Sequence, residues 1–359
     1  MELTLNDKHH AIAGWRQRDV ADPADWSYKI SDEEKSEIEN AFLIARSREK
    51  PLHDLTADDF PLPVFGKTLR DIVSGLETGL GFHVIKGLPI GDKTEDDARL
   101  LSWGVGLHIG VALPQNDSGT LIHDVRDRGE TSQQTLRGNG SSEEIQFHID
   151  PCDVVALFCR RAAMKGGGSK LCSSVEICKR IANEHPTLSN RLQATMPFAS
   201  LGADQDIRRI YHAPIFGWHE GAFTSHYYRA RIMKAASQPS VPFTDEQRAA
   251  VDLVQELAND PAMHMEMHLE PGDLQLVNNH IVYHSRTAYE DHPDFDMRRH
   301  LFRLWFAVPD SRGLPSEFAE VWGRTDAGTV RGGVRVWEGK FESVESYQQR
   351  TAKYHNMQA

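Results

Sequence analysis

The stretch PGDLQLVNNHIVYHSRTAYEDHPDFDMRRHLFRLW, residues 271–305, carries the most information about the fold and chemistry of this chain. Its opening Pro-Gly-Asp predicts a turn that starts a strand, and the apolar run near its end predicts a second strand. His280 and His284 follow the first strand, and Arg303 lies within the second. The segment therefore offers two candidate imidazole ligands and a strand-borne cation close together.

The bulk composition is that of an ordinary globular protein. The chain has 359 residues, 40% hydrophobic and 26% charged, with a formal net charge of −12. That charge argues against a nucleic-acid or anionic-membrane partner. No apolar run approaches a membrane span and the N-terminus has no signal core, so we expect a cytoplasmic protein of unspecified oligomeric state. Reduced, buried thiols are expected because no Cys-x-x-Cys pair occurs among Cys152, Cys159, Cys172 and Cys178.

The order of predicted elements favours a β-sandwich or jelly-roll core wrapped by helices. Helices are predicted in the first hundred residues, where Ser31 and Glu34 form a capping box, and again near 175–183 and 245–259. Predicted strands cover residues 120–125, 144–150, 154–159, 170–174, 222–225, 264–269, 273–277 and 300–308. One domain over 1–359 is expected, with a helical part to about 110, a core over about 111–310 and an extension over 311–359.

A second informative stretch, QFHIDPCD at 146–153, places His148 and Asp150 two residues apart. If 144–150 is a strand, both side chains project from the same face. Chance alone supplies about one such pair in a chain with 18 histidines, and a second one occurs at His292 and Asp294. The latter has Pro293 between its members and lies among acidic residues, which indicates a solvated loop.

One imidazole, one carboxylate and a distant imidazole form the facial triad of non-haem Fe(II) oxygenases. A third ligand from 271–305 would complete such a set with His148 and Asp150. An arginine buried beside the metal also needs an acid, because an unpaired buried charge is costly. A diacid co-substrate meets that need, with one end on the metal and the other paired with the guanidinium.

The order HxD, GGxS, PGD…NN…H…RT and RHLxRLW resembles the taurine dioxygenase-like (clavaminate synthase-like) family of Fe(II)/2-oxoglutarate-dependent oxygenases. FPLP at 60–63, VRD at 125–127 and RGG at 331–333 fit one branch of it. The resemblance spans roughly residues 55–335. It implies an α+β, mainly β fold with a double-stranded β-helix (jelly-roll, cupin-like) core wrapped by helices.

The resemblance also implies roles for five residues of this chain. His148 and Asp150 match the proximal iron ligands and His284 the distal one. Arg303 matches the residue that binds the distal carboxylate of 2-oxoglutarate. Ser169, in the Gly-rich strand, matches a hydroxyl donor to the same carboxylate. Many family members have threonine at that position, so the sequence departs from the pattern there.

Each of these roles has a rival within the same segments. His280 is the alternative to His284, and family spacing assigns it instead to a turn or to support of the ligands. Arg298 and Arg299 are the alternatives to Arg303. Arg299 and Arg303 share strand parity, and only the RxxxR pattern of the family selects the second. The run KGGGSK at 165–170 lacks the order of a phosphate-binding loop.

The implied activity uses Fe(II), 2-oxoglutarate and O₂ to oxidise, by default to hydroxylate, an unactivated C–H bond of a small organic substrate, releasing succinate and CO₂. The retained carboxylate of Asp150 argues against halogenation, which in relatives requires a small residue there. Two alternatives remain: a zinc-type metal hydrolase with the same ligand set, and a non-catalytic jelly-roll binding protein.

The sequence does not select the substrate. Long insertions before Asp245 favour a molecule larger than a bare amino acid. Candidates for the pocket wall or a lid are Gln115, Asn116, Tyr211, Trp218, Tyr227, Tyr228, Arg229 and Arg231.

Overall fold

The structure is a computed structural model that describes residues 13–91, 93–130, 140–201, 207–336 and 341–359. The α-helices in these ranges are α1 Asp32–Ser47, α2 Phe65–Thr78, α3 Glu95–Gly106, α4 Ser174–Glu184, α5 Pro186–Gln193, α6 Arg229–Ala236, α7 Asp245–Asn259, α8 Ala319–Trp322 and α9 Phe341–Tyr354. The strands are β1 Ser27–Lys29, β2 Phe82–Lys86, β3 Val111–Ala112, β4 Ile122–Val125, β5 Ile145–His148, β6 Val154–Arg161, β7 Lys165–Gly166, β8 Ser169–Ser173, β9 Met196–Leu201, β10 Ile207–Ala213, β11 Phe216–His219, β12 Ala222–Ser225, β13 His264–Met267, β14 Leu274–Asn278, β15 Val282–Arg286, β16 Tyr289–Glu290 and β17 His300–Ala307.

The larger sheet has the strand order β1-β2-β14-β6-β17-β3, and β4 pairs with β17 beside this path. All of its pairings are antiparallel except that of β1 with β2. Every residue of β17 is buried. A strand that is buried along its whole length has both of its faces covered.

The smaller sheet has the order β13-β8-β15-β5 and is antiparallel throughout. The pairs β9–β10, β11–β12 and β7–β16 form three separate two-stranded sheets. Together with the larger sheet, these elements make a mixed α+β fold built from antiparallel sheets.

Local sequence signals explain where the main helices begin. Ser31 and Glu34 form the expected capping box at the start of α1, and Thr244 with Gln247 forms another at the start of α7. One hydrophobic cluster runs from Trp15 to Met357 and joins both sheets to the helices. The four cysteines are buried and free, as expected.

Most predicted elements lie within two residues of the observed ones, and the prediction for Ala222–Ser225 is confirmed. The strand predicted over 144–150 is the important error, because β5 ends at His148 and Asp150 lies beyond it. Pro151 follows Asp150, lacks a backbone donor and restricts the residue before it, so the ladder stops here. The hairpin of β9 and β10 was not predicted.

Candidate active site

The two predicted histidine ligands are brought together by the register of the smaller sheet. In the antiparallel pair of β5 and β15, His284 is the direct partner of His148. Their ring centroids are 4.4 Å apart. Directly opposed residues of such a pair share one face, so the register alone fixes two of the three predicted ligands.

Asp150 reaches the same place by a different route. Its backbone N–H donates to Oδ1 of Asn279 at 3.1 Å, while Nδ2 of Asn279 donates to the carbonyl of Cys152 at 3.1 Å. One buried amide thus satisfies a donor and an acceptor of the loop around Pro151. The two hydrogen bonds of Asn279 replace the missing sheet hydrogen bonds and hold the carboxylate of Asp150 beside the two imidazoles.

The three side chains offer ligand atoms that all lie within 4.8 Å of one another. His148 donates from Nδ1 to the carbonyl of Gln146 at 2.8 Å, which leaves the lone pair on Nε2 for a metal. Burial lowers the pKa of His284 to about 3 and also lowers that of His148. Both imidazoles are therefore neutral near pH 7, the form that binds metal.

Oδ2 of Asp150 receives hydrogen bonds from two residues of β17. Nε1 of Trp305 donates at 2.7 Å and Nη1 of Arg303 donates at 3.3 Å. Arg303 also donates from Nε to Oε1 of Gln115 at 2.8 Å, and Gln115 donates back to the carbonyl of Arg303 at 2.7 Å. The guanidinium predicted for the far end of a diacid thus lies against the triad itself.

A cavity opens next to the triad between the two sheets. Its lining is apolar except for the triad histidines, serines and arginines, and comprises Val125, Ile145, His148, Val155, Leu157, Ser169, Leu269, His284, Ser285, Arg286, Arg299, Leu301 and Arg303. Ser169 donates from Oγ to Oε1 of Gln275 at 2.9 Å. Arg299 crosses Gly167, where an added Cβ would stand 3.3 Å from Nε of Arg299. Arg299 therefore lies beside the turn that leads into β8, which begins at Ser169, and both residues line the cavity.

Two of the cavity arginines are incompletely satisfied. Nη1 of Arg299, and both Nε and Nη1 of Arg286, are buried without a hydrogen-bond partner among the described residues. Burial lowers the pKa of Arg286 to about 10, and the nearby charge of Arg299 adds to that effect. Arg286 uses Nη2 to donate to the carbonyls of Ser141 and Glu143. Buried cations with N–H donors that lack an acceptor make the cavity suitable for an anionic ligand.

The alternative candidates His280 and Arg298 make hydrogen bonds away from the triad. His280 donates from Nε2 to Oδ1 of Asp153 at 2.8 Å and accepts at Nδ1 from Thr224 at 2.9 Å, so neither nitrogen is available to a metal. Arg298 donates to the carbonyls of His292 and Asp127. These contacts give both residues structural roles.

A second group of potential ligands consists of Glu95, Asp124 and His300. Nε2 of His300 is 2.7 Å from Oδ1 of Asp124. Ion pairs with nearby guanidinium groups already engage both carboxylates: Arg99 binds both of them, and Arg126 and Arg160 lie within 3.7 Å of Glu95. We interpret this group as an ion-pair network.

A family model described as "Taurine catabolism dioxygenase TauD, TfdA family" matches residues 48–305. The chain belongs to this family. It is therefore an Fe(II)- and 2-oxoglutarate-dependent oxygenase, and the fold, the triad and the arginine-lined cavity agree with that class. No helix of the described chain has the length and apolarity that crossing a membrane would need.

Several proteins are similar to this chain in sequence or in fold. The FR-33289 synthase of Streptomyces rubellomurinus is 30% identical over 321 residues, which cover 86% of this chain and 93% of that protein. Asparagine oxygenase in complex with Fe(II), 3-hydroxyasparagine and succinate superposes with a TM-score of 0.62 at 18% identity, covering 78% of this chain and 93% of that one. The non-heme iron oxygenase OrfP in complex with Fe and alpha-ketoglutaric acid superposes with a TM-score of 0.59 at 15% identity, covering 78% of this chain and 93% of that one.

Only some of the residues predicted to form a pocket wall or a lid lie near the triad. Tyr228 does, because its ring centroid is 4.9 Å from that of His148. Gln115 contacts Arg303, as described above. Tyr227 is buried and donates to the carbonyl of Val251, and Trp218 is 41% exposed. Sequence reasoning missed Asn279 as the residue that positions Asp150, although the NN pair in 271–305 was a visible signal.

Proposed function

We propose that His148, Asp150 and His284 hold the Fe(II) of an oxygenase that hydroxylates a C–H bond of a small organic substrate. One observation carries this proposal. Two neutral imidazoles and one carboxylate converge within 4.8 Å beside a cavity lined by arginine. This donor set is the one that non-haem Fe(II) oxygenases use, and it leaves metal positions open to other ligands.

The residues present fit the metal and its co-substrate. The second nitrogen of His148 is held by a carbonyl, and Oδ2 of Asp150 is held by Trp305 and Arg303, so both ligands are oriented before a metal arrives. When bound, iron and 2-oxoglutarate supply O₂ activation, with release of succinate and CO₂. The protein orients the ligands, excludes water from the apolar cavity and positions the target bond.

The far carboxylate of 2-oxoglutarate has two candidate arginine partners. The predicted hydroxyl donor, Ser169, would turn its proton from Oε1 of Gln275 to that carboxylate when the diacid binds. The family resemblance predicted Arg303 for this role, with Arg299 as its alternative. The contacts of Arg303 with Asp150 and Gln115 favour a place at the metal end of the cavity. Arg299 has a spare buried donor and lies over Gly167, two residues before Ser169. We therefore assign the far carboxylate to Arg299 and Ser169, and the metal end to Arg303.

We also propose that the core is a double-stranded β-helix. The two antiparallel sheets would be the halves of a double-stranded β-helix, with the triad at the end of β5 and on β15. A single domain is supported by the hydrophobic cluster that joins residues from Trp15 to Met357. A cytoplasmic location stays a prediction from the sequence.

The two alternative functions explain less of the site. A zinc-type hydrolase would share the ligand set but has no use for a cavity with several buried guanidinium groups. A non-catalytic binding protein would not need two neutral, oriented imidazoles beside a carboxylate.

The test uses the purified full chain under anaerobic conditions. Addition of Fe(II) and 2-oxoglutarate should produce a weak visible charge-transfer band, and admission of O₂ with a substrate should produce succinate. Metal analysis of the protein as isolated distinguishes iron from zinc. Absence of both band and succinate, together with stoichiometric zinc, would contradict the proposal.

A further inference from the structure

The Arg-Gly-Gly motif at 331–333 lies beyond residue 305, where the match to the family model ends. It nevertheless contacts the loop that carries a proposed metal ligand. The backbone N–H of Gly333 donates to the carbonyl of Pro151 at 2.6 Å, and Pro151 directly follows Asp150. The C-terminal extension therefore touches the loop next to the proposed metal site.

The next residue of this segment, which spans 331–334, reaches a second support of the same carboxylate. The backbone N–H of Val334 donates to the carbonyl of Pro114 at 2.8 Å. Pro114 precedes Gln115, whose Oε1 accepts from Nε of Arg303 at 2.8 Å. Arg303 in turn donates to Oδ2 of Asp150. Two successive backbone donors thus hold the loop of Asp150 and the start of the chain of contacts that ends at its carboxylate.

Arg331 anchors the segment to the same loop. Its side chain is buried, and Nε donates to Oδ1 of Asp153 at 3.0 Å while Nη2 donates to the carbonyl of Arg312 at 2.6 Å. Asp153 lies three residues after Asp150 and also accepts from Nε2 of His280 at 2.8 Å. A buried, charge-assisted hydrogen bond of this kind fixes both the distance and the orientation of its partners.

Each residue of the loop 150–153 is therefore held from outside the loop. Asn279 holds the first and third residues, through the N–H of Asp150 and the carbonyl of Cys152. The 331–334 segment holds the second and fourth, through the carbonyl of Pro151 and the carboxylate of Asp153. Since the ladder of β5 ends at His148, these contacts do the work that strand pairing does for the two histidines.

The two glycines of the motif permit this close approach. Gly332 and Gly333 both have positive φ, at 82° and 75°. A Cβ added to Gly332 would collide with the carbonyl oxygen of Pro151 and stand 3.2 Å from its carbonyl carbon. Only glycine allows the backbone to lie so near the loop in this conformation.

The attachment of the C-terminal extension to the fold also has an anchor away from this loop. Arg312, at the start of the extension, donates from Nε and Nη2 to Glu77 of α2 and from Nη1 to the carbonyl of Phe223 in β12. Arg312 and Arg331 are thus two buried arginines of one extension, and the described contacts of Arg331 include the loop of Asp150. This difference separates a role at the metal site from simple tethering.

We propose that Arg331, Gly332 and Gly333 position the carboxylate of Asp150 for the metal. This inference rests on the proposed function and deepens it, because it gives a part of the chain outside the family match a role in metal binding. The three are positioning residues, which act through the loop 150–153. Residues that hold a metal ligand in place change metal affinity by about 10- to 100-fold when they are altered.

The experiment uses the full chain with Co(II) in place of Fe(II), because the visible absorption of Co(II) depends on the geometry of its ligands. Gly332→Ala is compared with Gly323→Ala. Gly323 also has positive φ, at 77°, but a Cβ added there would meet no atom of the described residues within 4 Å. Both variants should lose stability to urea from backbone strain, and Gly332→Ala alone should also bind Co(II) about tenfold more weakly, with shifted absorption bands.

A second pair of variants decides the question if Gly332→Ala does not fold. Arg331→Lys and Arg312→Lys each replace a buried planar guanidinium, so both should lower the urea midpoint, but only Arg331→Lys should lower the affinity for Co(II). Unchanged Co(II) affinity in Gly332→Ala and Arg331→Lys, or an equal decrease in the variant and its control, would overturn the inference. Failure of the native chain to bind Co(II) would instead contradict the proposed function.

Discussion

His148 and His284 are direct partners across the antiparallel pair of β5 and β15, with ring centroids 4.4 Å apart. Side chains of a strand alternate between its two faces, so a register shift of one residue would separate the two imidazoles. The proposed metal site therefore depends on the pairing of these strands as much as on the identity of the candidate ligands.

His284→Ala removes one of the three proposed ligands. We expect Fe(II) affinity to fall by more than about 100-fold, since loss of residues that merely support a ligand costs 10- to 100-fold. Anaerobic titration with Fe(II), followed by the charge-transfer band, measures this. The control is His292→Ala, which alters the other His-x-Asp pair of the chain. Equal affinity in the two variants would exclude His284 as a ligand.

The two arginines of the RxxxR pattern should have separable effects. Arg299→Ala should raise the KM for 2-oxoglutarate by about 100-fold with Fe(II) affinity nearly unchanged, because truncating one member of a buried charge pair costs roughly 2–5 kcal/mol. Arg303→Ala should change Fe(II) affinity as well, since Arg303 donates to Asp150. The reverse pattern would restore the original prediction that Arg303 binds the far carboxylate.

Trp305→Phe deletes the N–H that donates to Oδ2 of Asp150 at 2.7 Å while largely preserving the packing. We expect Fe(II) affinity to fall about tenfold and more 2-oxoglutarate to be consumed per product formed, because the carboxylate is less well oriented. The ratio of succinate to oxidised product measures the second effect. Trp103→Phe is a suitable control, because its buried Nε1 has no hydrogen-bond partner among the described residues. An unchanged ratio in Trp305→Phe would assign the indole to packing alone.

The buried histidines predict a loss of stability in mild acid. Burial lowers the pKa of His355 to about 4, and its Nε2 donates to the carbonyl of Leu107 at 3.0 Å. A lowered histidine pKa stabilises the fold above pH 6.5, and this stabilisation is lost as the pH falls from 6.5 toward 4. Between pH 7 and pH 5, protonation linked to this residue should lower the free energy of unfolding by about 2 kcal/mol.

The variant His355→Gln keeps a side-chain donor for Leu107 but cannot titrate. Urea unfolding at pH 7 and pH 5 should therefore show a smaller decrease in stability for the variant than for the native chain. An equal decrease in both would mean that His355 does not contribute to the acid sensitivity.

The sequence predicts those parts of the site that depend on local pattern. The spacing within 271–305 selects His284 over His280, and the structure agrees, since both nitrogens of His280 are bonded to Asp153 and Thr224. The strand argument placed Asp150 beside His148, and the structure does bring the two side chains together, but not through a strand. Asp150 lies beyond the strand and is held by Asn279, which is 129 residues away in the chain.

Other features cannot be read from local pattern at all. Arg299 and Arg303 are four residues apart and share strand parity, so only their contacts distinguish them. The bond between Arg303 and Gln115 joins residues 188 positions apart. Contacts of this kind depend on how the two sheets and their connecting loops pack together, and no spacing rule reports them.

The hydrogen bond from Arg303 to Asp150 has a consequence for the order in which ligands are acquired. Because the guanidinium already offsets the carboxylate, the three proposed metal ligands present little net negative charge to a divalent cation. A dianionic co-substrate restores that charge and so raises the affinity for the metal, and by reciprocity the metal raises the affinity for the diacid equally. We therefore expect iron and 2-oxoglutarate to bind cooperatively, so that a titration of either one alone would underestimate its affinity in the presence of the other.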